Sequence, residues 1–251
     1  MNDRVMFVFG GASGIGAATA EALRDRGNRV VIFDAVDPVR SLDGVEYRIA
    51  DVRDPAVGAI IEEVAQRTGP PAGLVYAVGV MDNHAFLEET TDELLDVVLD
   101  INVKGAVRVA RAVAPAMRAV RYGRIVFIGS IAGVVAGAGG LAYTISKHAL
   151  GGVVRSLAVE MAPDGVTVNC VAPGAISGTS ISTRVVDQAK AAVPTARGTA
   201  DLFGQSAEQL HPVGRIGTPG AVVASILHLL TPESWFVTGS TITVDGGYTA
   251  R

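Results

Sequence analysis

The sequence predicts an α/β protein with one doubly wound, parallel, seven-stranded sheet flanked by helices, formed by a single domain over residues 1–251. Two observations lead to this prediction. Short apolar runs typical of buried strands alternate with helical patterns along the chain, and this alternation indicates a parallel sheet with helical crossovers. The chain has 251 residues, of which 49% are hydrophobic, enough to form the core of one large α/β domain.

Composition and charge exclude several classes of function. With a formal net charge of −4 and scattered cations, the chain has no electrostatic basis for binding nucleic acid or an anionic membrane. Its single cysteine, Cys170, excludes an internal disulfide and a cysteine-built metal site, and its four histidines lack metal-ligand spacing. No secretory signal is recognisable, and no apolar run approaches the ~18 residues of a membrane helix. We therefore expect a cytoplasmic protein that binds no metal.

The first strand–helix–strand unit carries a nucleotide-binding pattern. Residues 5–9 form an apolar strand, residues 15–26 an Ala-rich helix, and residues 29–33 the next strand. The turn between the first strand and the helix reads Gly10-Gly11-Ala12-Ser13-Gly14-Ile15-Gly16. Glycines there let the backbone approach a pyrophosphate closely, and the helix N-terminus offers free N–H groups to it. This context predicts dinucleotide binding at the turn.

Asp34 ends the second strand, where a carboxylate can accept hydrogen bonds from the 2′-hydroxyl of an adenosine ribose. The same carboxylate would repel a 2′-phosphate. Ala35-Val36-Asp37 follow, and Arg40 is the nearest cation. The sequence therefore favours NAD over NADP.

The middle of the chain continues the alternation. Residues 45–50 and 74–78 read as the third and fourth strands, separated by a helix that starts at Asp54-Pro55. A long helix is expected from Asp92 through residue 117. Asn102 interrupts its apolar surface, and two readings are open: a satisfied core hydrogen bond, or a kink that holds a water.

The segment after the fifth strand, residues 124–128, holds a hydroxyl, a phenol and an ammonium at Ser130, Tyr143 and Lys147. In a helix, Tyr143 and Lys147 share one face. A lysine held there can lower the pKa of the phenol from about 10, and a tuned phenol can exchange a proton with an alcohol or ketone. The pair alone also fits a surface tyrosine and lysine on an ordinary helix.

The last third of the chain contains the sixth strand, residues 166–172, and a seventh at 240–244, with a helix at 218–230 between them. Residues 175–217 form a long segment rich in small and polar residues, and we expect it to be a substrate loop with short helices near 184–193 and 202–210. Its Arg184 and Arg197 are candidates to anchor an anionic group, or solvated loop cations.

The motifs in this order resemble the short-chain dehydrogenase/reductase family over essentially the whole chain. The resemblance rests on Gly10-xxx-Gly14-x-Gly16, Asp34, Asp51-Val52, Asn102, Ser130, Tyr143-xxx-Lys147, Pro173-Gly174 and Asp245-Gly246-Gly247. It implies a Rossmann-type fold, an NAD(P) cofactor, hydride transfer between a secondary alcohol and a ketone, and a homodimer or homotetramer. The most favoured substrate is an apolar, alicyclic or aromatic alcohol.

The resemblance also implies roles for individual residues. Tyr143 would be the catalytic acid/base, Lys147 would lower its pKa and bind the nicotinamide ribose, and Ser130 would orient the substrate oxygen. Asn102 would hold a water in a proton relay. Asp51 and Val52 would contact the adenine. The residues implied to bind the cofactor are Gly10, Ser13, Gly14, Ile15, Gly16, Asp34, Asp51, Val52, Gly79, Tyr143, Lys147, Pro173, Gly174, Ile176 and Thr179.

Three departures from the family pattern stand out. Phe9 replaces the usual threonine before the first glycine, and Tyr76-Ala77-Val78-Gly79 replaces Asn-Asn-Ala-Gly, which removes polar ties between strands. The threonine expected to meet the nicotinamide carboxamide comes one place late, so either Thr179 shifts into position or Ser177 substitutes. Two other functions stay open: a 3-oxoacyl-carrier-protein reductase, and a nucleotide-sensing binding protein without turnover.

Overall fold

The computed structural model describes residues 3–38, 40–179, 187–192 and 204–251, and it contains the seven parallel strands that the sequence predicts. The strands are β1 Val5–Phe9, β2 Arg29–Asp34, β3 Glu46–Ile49, β4 Gly73–Tyr76, β5 Gly123–Ile128, β6 Val166–Pro173 and β7 Thr241–Val244. Their order in the sheet is β3-β2-β1-β4-β5-β6-β7. The chain therefore winds outward in both directions from β1 and β4, and the crevice for a ligand lies where these two strands diverge.

Helices cover both faces of this sheet. They are α1 Gly14–Asp25, α2 Val57–Thr68, α3 Asp92–Leu99, α4 Gly105–Ala119, α5 Leu141–Met161, α6 Asp187–Ala192, α7 Ala207–Leu210 and α8 Pro219–Leu229. One core packs α2, α4 and α5 against the sheet, and a second packs α1 and α8 against the opposite face. Because both faces are covered, the strands are apolar nearly throughout, as the sequence indicated. None of the described helices has the length and hydropathy needed to cross a membrane.

Two helix boundaries differ from the sequence prediction. The second helix begins at Val57 rather than at Asp54-Pro55, because the Asp54 carboxylate accepts a hydrogen bond from the Ala56 N–H in a turn before it. The helix expected from Asp92 through residue 117 is interrupted by a π-helical segment, Asp100–Lys104, which contains Asn102. Parts of the two short helices in the substrate loop are present as α6 and α7, whereas Arg184 and Arg197 lie outside the described residues.

An aromatic row crosses the sheet where the polar residues of the family pattern are missing. Phe9 stacks on Phe33 at a centroid distance of 4.4 Å, and Tyr76 lies next to Phe9 on one side and Phe127 on the other. All four side chains are fully buried. Packing between large rings therefore braces β2, β1, β4 and β5 in place of hydrogen bonds between side chains.

The Tyr76 hydroxyl restores one polar tie. It donates a hydrogen bond of 2.7 Å to the carbonyl of Ile101, which belongs to the π-helical segment. A Cβ on Gly105 would lie 2.6 Å from this hydroxyl oxygen, so a glycine at that position makes room for it. Burial raises the pKa of Tyr76, so the phenol stays neutral and remains a donor.

We predict that Tyr76→Phe lowers the free energy of unfolding by about 1–3 kcal/mol, because the buried Ile101 carbonyl loses its side-chain donor. Urea unfolding followed by circular dichroism measures this loss. Tyr47→Phe is the matched control, since it removes the same oxygen from a half-buried phenol that accepts from the Leu42 N–H. Equal losses in the two variants would contradict a special role for Tyr76.

Candidate active site

A cavity of about 430 Å³ opens at the carboxyl edge of the sheet, at the crevice between β1 and β4. Thirteen of the residues that the sequence marked for catalysis or cofactor binding line it: Gly10, Ser13, Gly14, Ile15, Gly16, Gly79, Ser130, Tyr143, Lys147, Pro173, Gly174, Ile176 and Thr179. Four others, Asp34, Asp51, Val52 and Asn102, lie outside its wall. The structure thus brings the glycine turn and the Tyr143 helix to one place, although about 130 residues separate them in sequence.

The glycine turn makes close backbone contacts with the residues after β4 and within itself. Gly10 has a φ of +78°, and a Cβ there would lie 2.7 Å from the carbonyl carbon of Ala77 after β4. A Cβ on Gly16 would lie 2.1 Å from the Gly10 carbonyl oxygen. Side chains at these positions would push the turn away from the sheet, so glycine is required at both.

The start of α1 fits a phosphate group. The helix begins at Gly14, and the Ser13 side chain makes no capping hydrogen bond with its first turn. The first N–H groups of α1 therefore point toward the cavity without a side-chain acceptor from their own N-cap, and the helix dipole favours an anion there. Thr179 faces this turn, with its Cα 3.6 Å from the position of a Cβ on Gly14.

Asp34 is buried at the end of β2, with 7% of its surface exposed. One carboxylate oxygen accepts a hydrogen bond of 3.0 Å from the Ala12 N–H, so the residue braces the glycine turn. The Asp34 carbonyl accepts from the Ala50 N–H, which brings the end of β3 alongside. Asp34 therefore lies beside the turn, on the β2 side of the cavity.

Asp51 and Val52 lie farther along the same edge. The Asp51 carboxylate pairs with the Arg53 guanidinium at 2.6 Å, and this hydrogen bond lowers the pKa of Asp51. The Val52 side chain is buried, and its carbonyl accepts from Arg108. Both residues follow β3, next to Asp34, on the side where the adenine end of a dinucleotide would extend from the glycine turn.

Ser130, Tyr143 and Lys147 converge on the other side of the cavity. Ser130 follows β5, where its hydroxyl accepts from the Ala132 N–H at 3.1 Å and makes a hydrogen bond with the Tyr143 phenol. Tyr143 is the third residue of α5, and Lys147 follows one turn later. The Lys147 ammonium donates to the Ile128 carbonyl at 3.1 Å and lies 5.5 Å from the centre of the Tyr143 ring.

Burial controls the ionisation of both groups. It raises the pKa of Tyr143 to about 12; the hydrogen bond with Ser130 opposes this rise, and the negative charge of Asp82 adds to it. Burial also lowers the pKa of Lys147 to about 8. Burial is thus the largest influence on the pKa of the phenol, and it acts in the direction opposite to the one expected from Lys147. The phenol is accordingly a proton donor across neutral pH. The lowering of this pKa by the Lys147 ammonium stays a prediction.

Asn102 is buried and fully hydrogen-bonded. Its side-chain oxygen accepts from the Val80 N–H at 2.9 Å, and its amide nitrogen donates to the Val80 carbonyl and to the Ser146 hydroxyl, both at 3.0 Å. Ser146 in turn donates to the Tyr143 carbonyl at 2.7 Å. The side chain thus has the satisfied core hydrogen bonds of the first reading, and it ties the loop after β4 to the helix of Tyr143.

Thr179 and Ser177, the two candidates to meet the nicotinamide carboxamide, have different surroundings in the structure. Thr179 lines the cavity, and its hydroxyl donates to the Ile176 carbonyl at 3.1 Å. Ser177 instead donates through both its N–H and its hydroxyl to the Gly217 carbonyl. Thr179, and not Ser177, is therefore the hydroxyl available to a ligand in this part of the cavity.

The outer wall of the cavity comes from the C-terminal part of the chain. Leu210, His211 and Tyr248 line it together with Met81 and His84 from the loop after β4. No motif marked Tyr248. The ring of His211 lies 5.3 Å from that of Tyr248.

The His211 ring ties this wall to the end of β6. Its Nε2 accepts from the Ala175 N–H at 3.1 Å, so its Nδ1 carries the proton and donates to the Ala207 carbonyl at 2.5 Å. A Cβ on Gly174 would lie 2.5 Å from the same Nε2. Gly174 is therefore required for the contact between α7 and the strand end.

Known proteins resemble this chain over nearly its full length. A family model described as Enoyl-(Acyl carrier protein) reductase matches residues 10–249. Short-chain reductase protein NovJ of Streptomyces niveus is 34% identical, covering 98% of this chain and 94% of NovJ. The 3-oxoacyl-[acyl-carrier-protein] reductase MabA of Mycobacterium tuberculosis is 33% identical, covering 97% of this chain and 92% of MabA. The crystal structure of levodione reductase has a TM-score of 0.85 at 28% identity, covering 100% of this chain and 99% of that one.

These relatives bear the names of different reactions, so the similarity defines a class of chemistry and not one substrate. The match includes the glycine turn, the segment of Ser130, Tyr143 and Lys147, and the C-terminal wall of the cavity, because it runs to residue 249. A match limited to a shared nucleotide-binding half would have ended near the middle of the chain. The protein therefore belongs to the short-chain dehydrogenase/reductase family of oxidoreductases.

Proposed function

We propose that the protein interconverts a secondary alcohol and a ketone, with NAD as the hydride carrier and Tyr143 as the acid/base. The observation that carries this proposal is the convergence of Ser130, Tyr143 and Lys147 on the cavity that also contains the glycine turn. A phenol, a hydroxyl and an ammonium side by side are the groups needed to bind and protonate a carbonyl oxygen.

The residues act on the substrate oxygen in a defined way. In ketone reduction the Tyr143 hydroxyl gives its proton to the carbonyl oxygen, while the Ser130 hydroxyl donates a hydrogen bond to the same oxygen as negative charge develops. The Lys147 ammonium favours the phenolate that remains. In alcohol oxidation the phenolate takes the proton back. A bound nicotinamide would supply or accept the hydride.

The described residues fit a dinucleotide. Gly10, Gly14 and Gly16 line the cavity with backbone, the start of α1 offers N–H groups to a pyrophosphate, and Thr179 faces the same turn. Pro173, Gly174 and Ile176 would flank the nicotinamide, and Thr179 would meet its carboxamide. Asn102 would contribute by holding the loop after β4 and, as the family resemblance implies, a water of the proton relay.

The environment of Asp34 favours NAD over NADP. Its carboxylate is buried beside the glycine turn, where a 2′-phosphate would lie against a negative charge. Arg40, the first cation after Asp34 in the sequence, is paired with Glu21 at 2.7 Å. A 2′-phosphate would therefore have to displace an ion pair before it could be neutralised.

The substrate is proposed to be an alcohol with a mainly apolar skeleton. Met81, Ala138, Ile131 and Leu210 provide apolar surface around the Tyr143 phenol. The cavity suits an alicyclic or aromatic ring next to the reacting carbon.

Two alternatives would give different results. A 3-oxoacyl-carrier-protein reductase is supported by the similarity to MabA, and it would reduce a β-ketoacyl thioester. A nucleotide-sensing protein would bind the cofactor without turnover, but it would have no use for three converging catalytic groups. A panel of apolar alcohols and ketones alongside an acetoacetyl thioester, each with NADH and NADPH, separates the three.

We also propose a homodimer or homotetramer. Val159 on the outer face of α5 is 80% exposed, and Trp235 and Phe236 between α8 and β7 are largely exposed as well. Large apolar side chains that are exposed on a single chain are typical of faces that pair with a second copy.

We predict that Tyr143→Phe reduces kcat by at least about 100-fold, because the proton donor is lost, while NADH affinity stays within about twofold. Steady-state assays that follow NADH absorbance measure kcat, and a fluorescence titration measures NADH affinity. Tyr47→Phe removes a phenol oxygen outside the cavity and should leave both unchanged. Full turnover by Tyr143→Phe across the substrate panel would refute the acid/base role.

We predict that ketone reduction falls as the pH rises above about 8. The Tyr143 phenol, with its pKa raised to about 12, keeps its proton there, whereas Lys147, with its pKa lowered to about 8, loses its charge. The measurement is kcat for ketone reduction between pH 6 and 10. In Lys147→Arg the guanidinium stays charged, so its lower activity should show no such fall. An identical fall in both proteins would contradict the assignment.

We predict that Asp34→Asn lowers the preference for NAD over NADP by about tenfold or more, equivalent to ~1.4 kcal/mol. The amide oxygen still accepts from the Ala12 N–H, but the charge is gone. Ratios of kcat/KM for the two cofactors provide the measurement. Asp37→Asn, at an exposed carboxylate three residues on, is the control and should keep the wild-type ratio.

A further inference from the structure

A carboxylate that is fully buried, Asp82, lies behind the Tyr143 phenol in the loop after β4. One oxygen accepts a hydrogen bond of 2.8 Å from the Tyr143 N–H, and the other accepts from the N–H groups of Gly140 and His84, both at 3.2 Å. The bonds from Tyr143 and Gly140 join the loop to the start of α5, and the bond from His84 closes a turn within the loop. No sequence motif marked Asp82, and the proposed chemistry does not use it.

Asp82 takes the place of a helix cap. Helix α5 begins after Gly140, which has no side chain to accept from the first N–H groups. The Tyr143 N–H finds its acceptor in Asp82, and the Leu141 N–H finds one in the Ala85 carbonyl. Since the first turn of a helix favours a negative charge, a carboxylate is the best acceptor for this position.

The backbone conformation around Asp82 allows its carboxylate to reach the start of α5. Asn83 and His84 both have left-handed φ angles, 56° and 57°, which are costly for residues other than glycine. This turn brings the His84 N–H back to the Asp82 carboxylate. On the other side, a Cβ on Gly140 would lie 2.5 Å from an Asp82 oxygen, so the approach depends on glycine there.

We propose that Asp82 is a positioning residue for the Tyr143 phenol: its carboxylate fixes the first turn of α5, which carries the phenol, and places a negative charge behind it. The inference rests on the proposed acid/base role of Tyr143. Groups that face Tyr143 are Lys147 from its own helix, Ser130 from the loop after β5, and Asp82 with its neighbour His84 from the loop after β4.

The negative charge of Asp82 also affects the ionisation of the Tyr143 phenol. A negative charge near the phenol disfavours the phenolate, and the charge of Asp82 raises the pKa of Tyr143 in addition to the effect of burial. Asp82 therefore opposes Lys147: one favours the protonated phenol, the other its anion. A residue with only a structural role would not affect the pH at which Tyr143 ionises.

The decisive variant is Asp82→Asn. It preserves the shape of the side chain but removes its negative charge and one of its two acceptor oxygens. We expect kcat to fall about ten- to a hundredfold, because the phenol is displaced by a fraction of an ångström, with the KM for the cofactor within about twofold. We expect the rise of alcohol oxidation with pH to shift to lower pH. Amide hydrogen exchange at Tyr143 should accelerate relative to the wild type.

Two further variants act as control and second test. Asp54→Asn makes the same chemical change at an exposed carboxylate before α2 that accepts from the Ala56 N–H, and it should leave kcat and the pH profile unchanged. Gly140→Ala keeps the charge of Asp82 but forces it away from the helix. We expect it to accelerate exchange at Tyr143 and to lower kcat.

The outcomes separate this inference from the proposed function. Faster exchange at Tyr143 in Asp82→Asn, with a lower kcat and a shifted pH profile, supports positioning. Wild-type exchange, kcat and pH profile in Asp82→Asn overturn it, and so does a lower kcat whose pH profile stays in place. If Tyr143→Phe keeps full turnover, the proposed function fails, while hydrogen exchange still reports whether Asp82 holds the helix.

Discussion

The site depends on the removal of water from two neighbouring ionisable groups, Tyr143 and Lys147. Burial raises the pKa of Tyr143 to about 12 and lowers the pKa of Lys147 to about 8, so it favours the neutral form of each. In this environment each hydrogen bond and each nearby charge has a large effect on ionisation, because little solvent screens it. The Ile128 carbonyl that binds the Lys147 ammonium lies at the end of β5, and the sheet thereby fixes the position of the charge.

The same part of the sheet shows how the fold tolerates its departures from the family pattern. Where polar side chains would tie neighbouring strands, rings of Phe9, Phe33, Tyr76 and Phe127 pack in a row. Packing alone would leave the π-helical segment without its connection to β4, and the Tyr76 hydroxyl provides it. The segment so held presents Asn102 to Val80 and to α5, so the altered strands still position the loop that carries Asp82.

The fold could be predicted from sequence because buried parallel strands and amphipathic helices leave strong local patterns. The glycine turn, Ser130 and the Tyr143–Lys147 pair could be found for a similar reason: their spacing reflects contacts within one strand–helix unit. The role of Asp82 could not, since it arises from a contact across 61 residues between a loop and the first turn of α5. The rise in the pKa of Tyr143 could not be predicted either, because a one-turn spacing to Lys147 indicates proximity but says nothing about burial.

The two sides of the cavity are held by different means, and this difference bears on how specificity arises. On the cofactor side, backbone meets backbone at Gly10 and Gly16, where no larger residue fits. On the substrate side, the wall is held by side chains from distant segments: His211 bonded to the Ala175 N–H, and Arg251 bonded to the Leu210 carbonyl next to Tyr248. Changes in these side chains can reshape the substrate wall without moving the glycine turn or the Tyr143 phenol. Relatives with the same fold and different named reactions are the expected result of such a division.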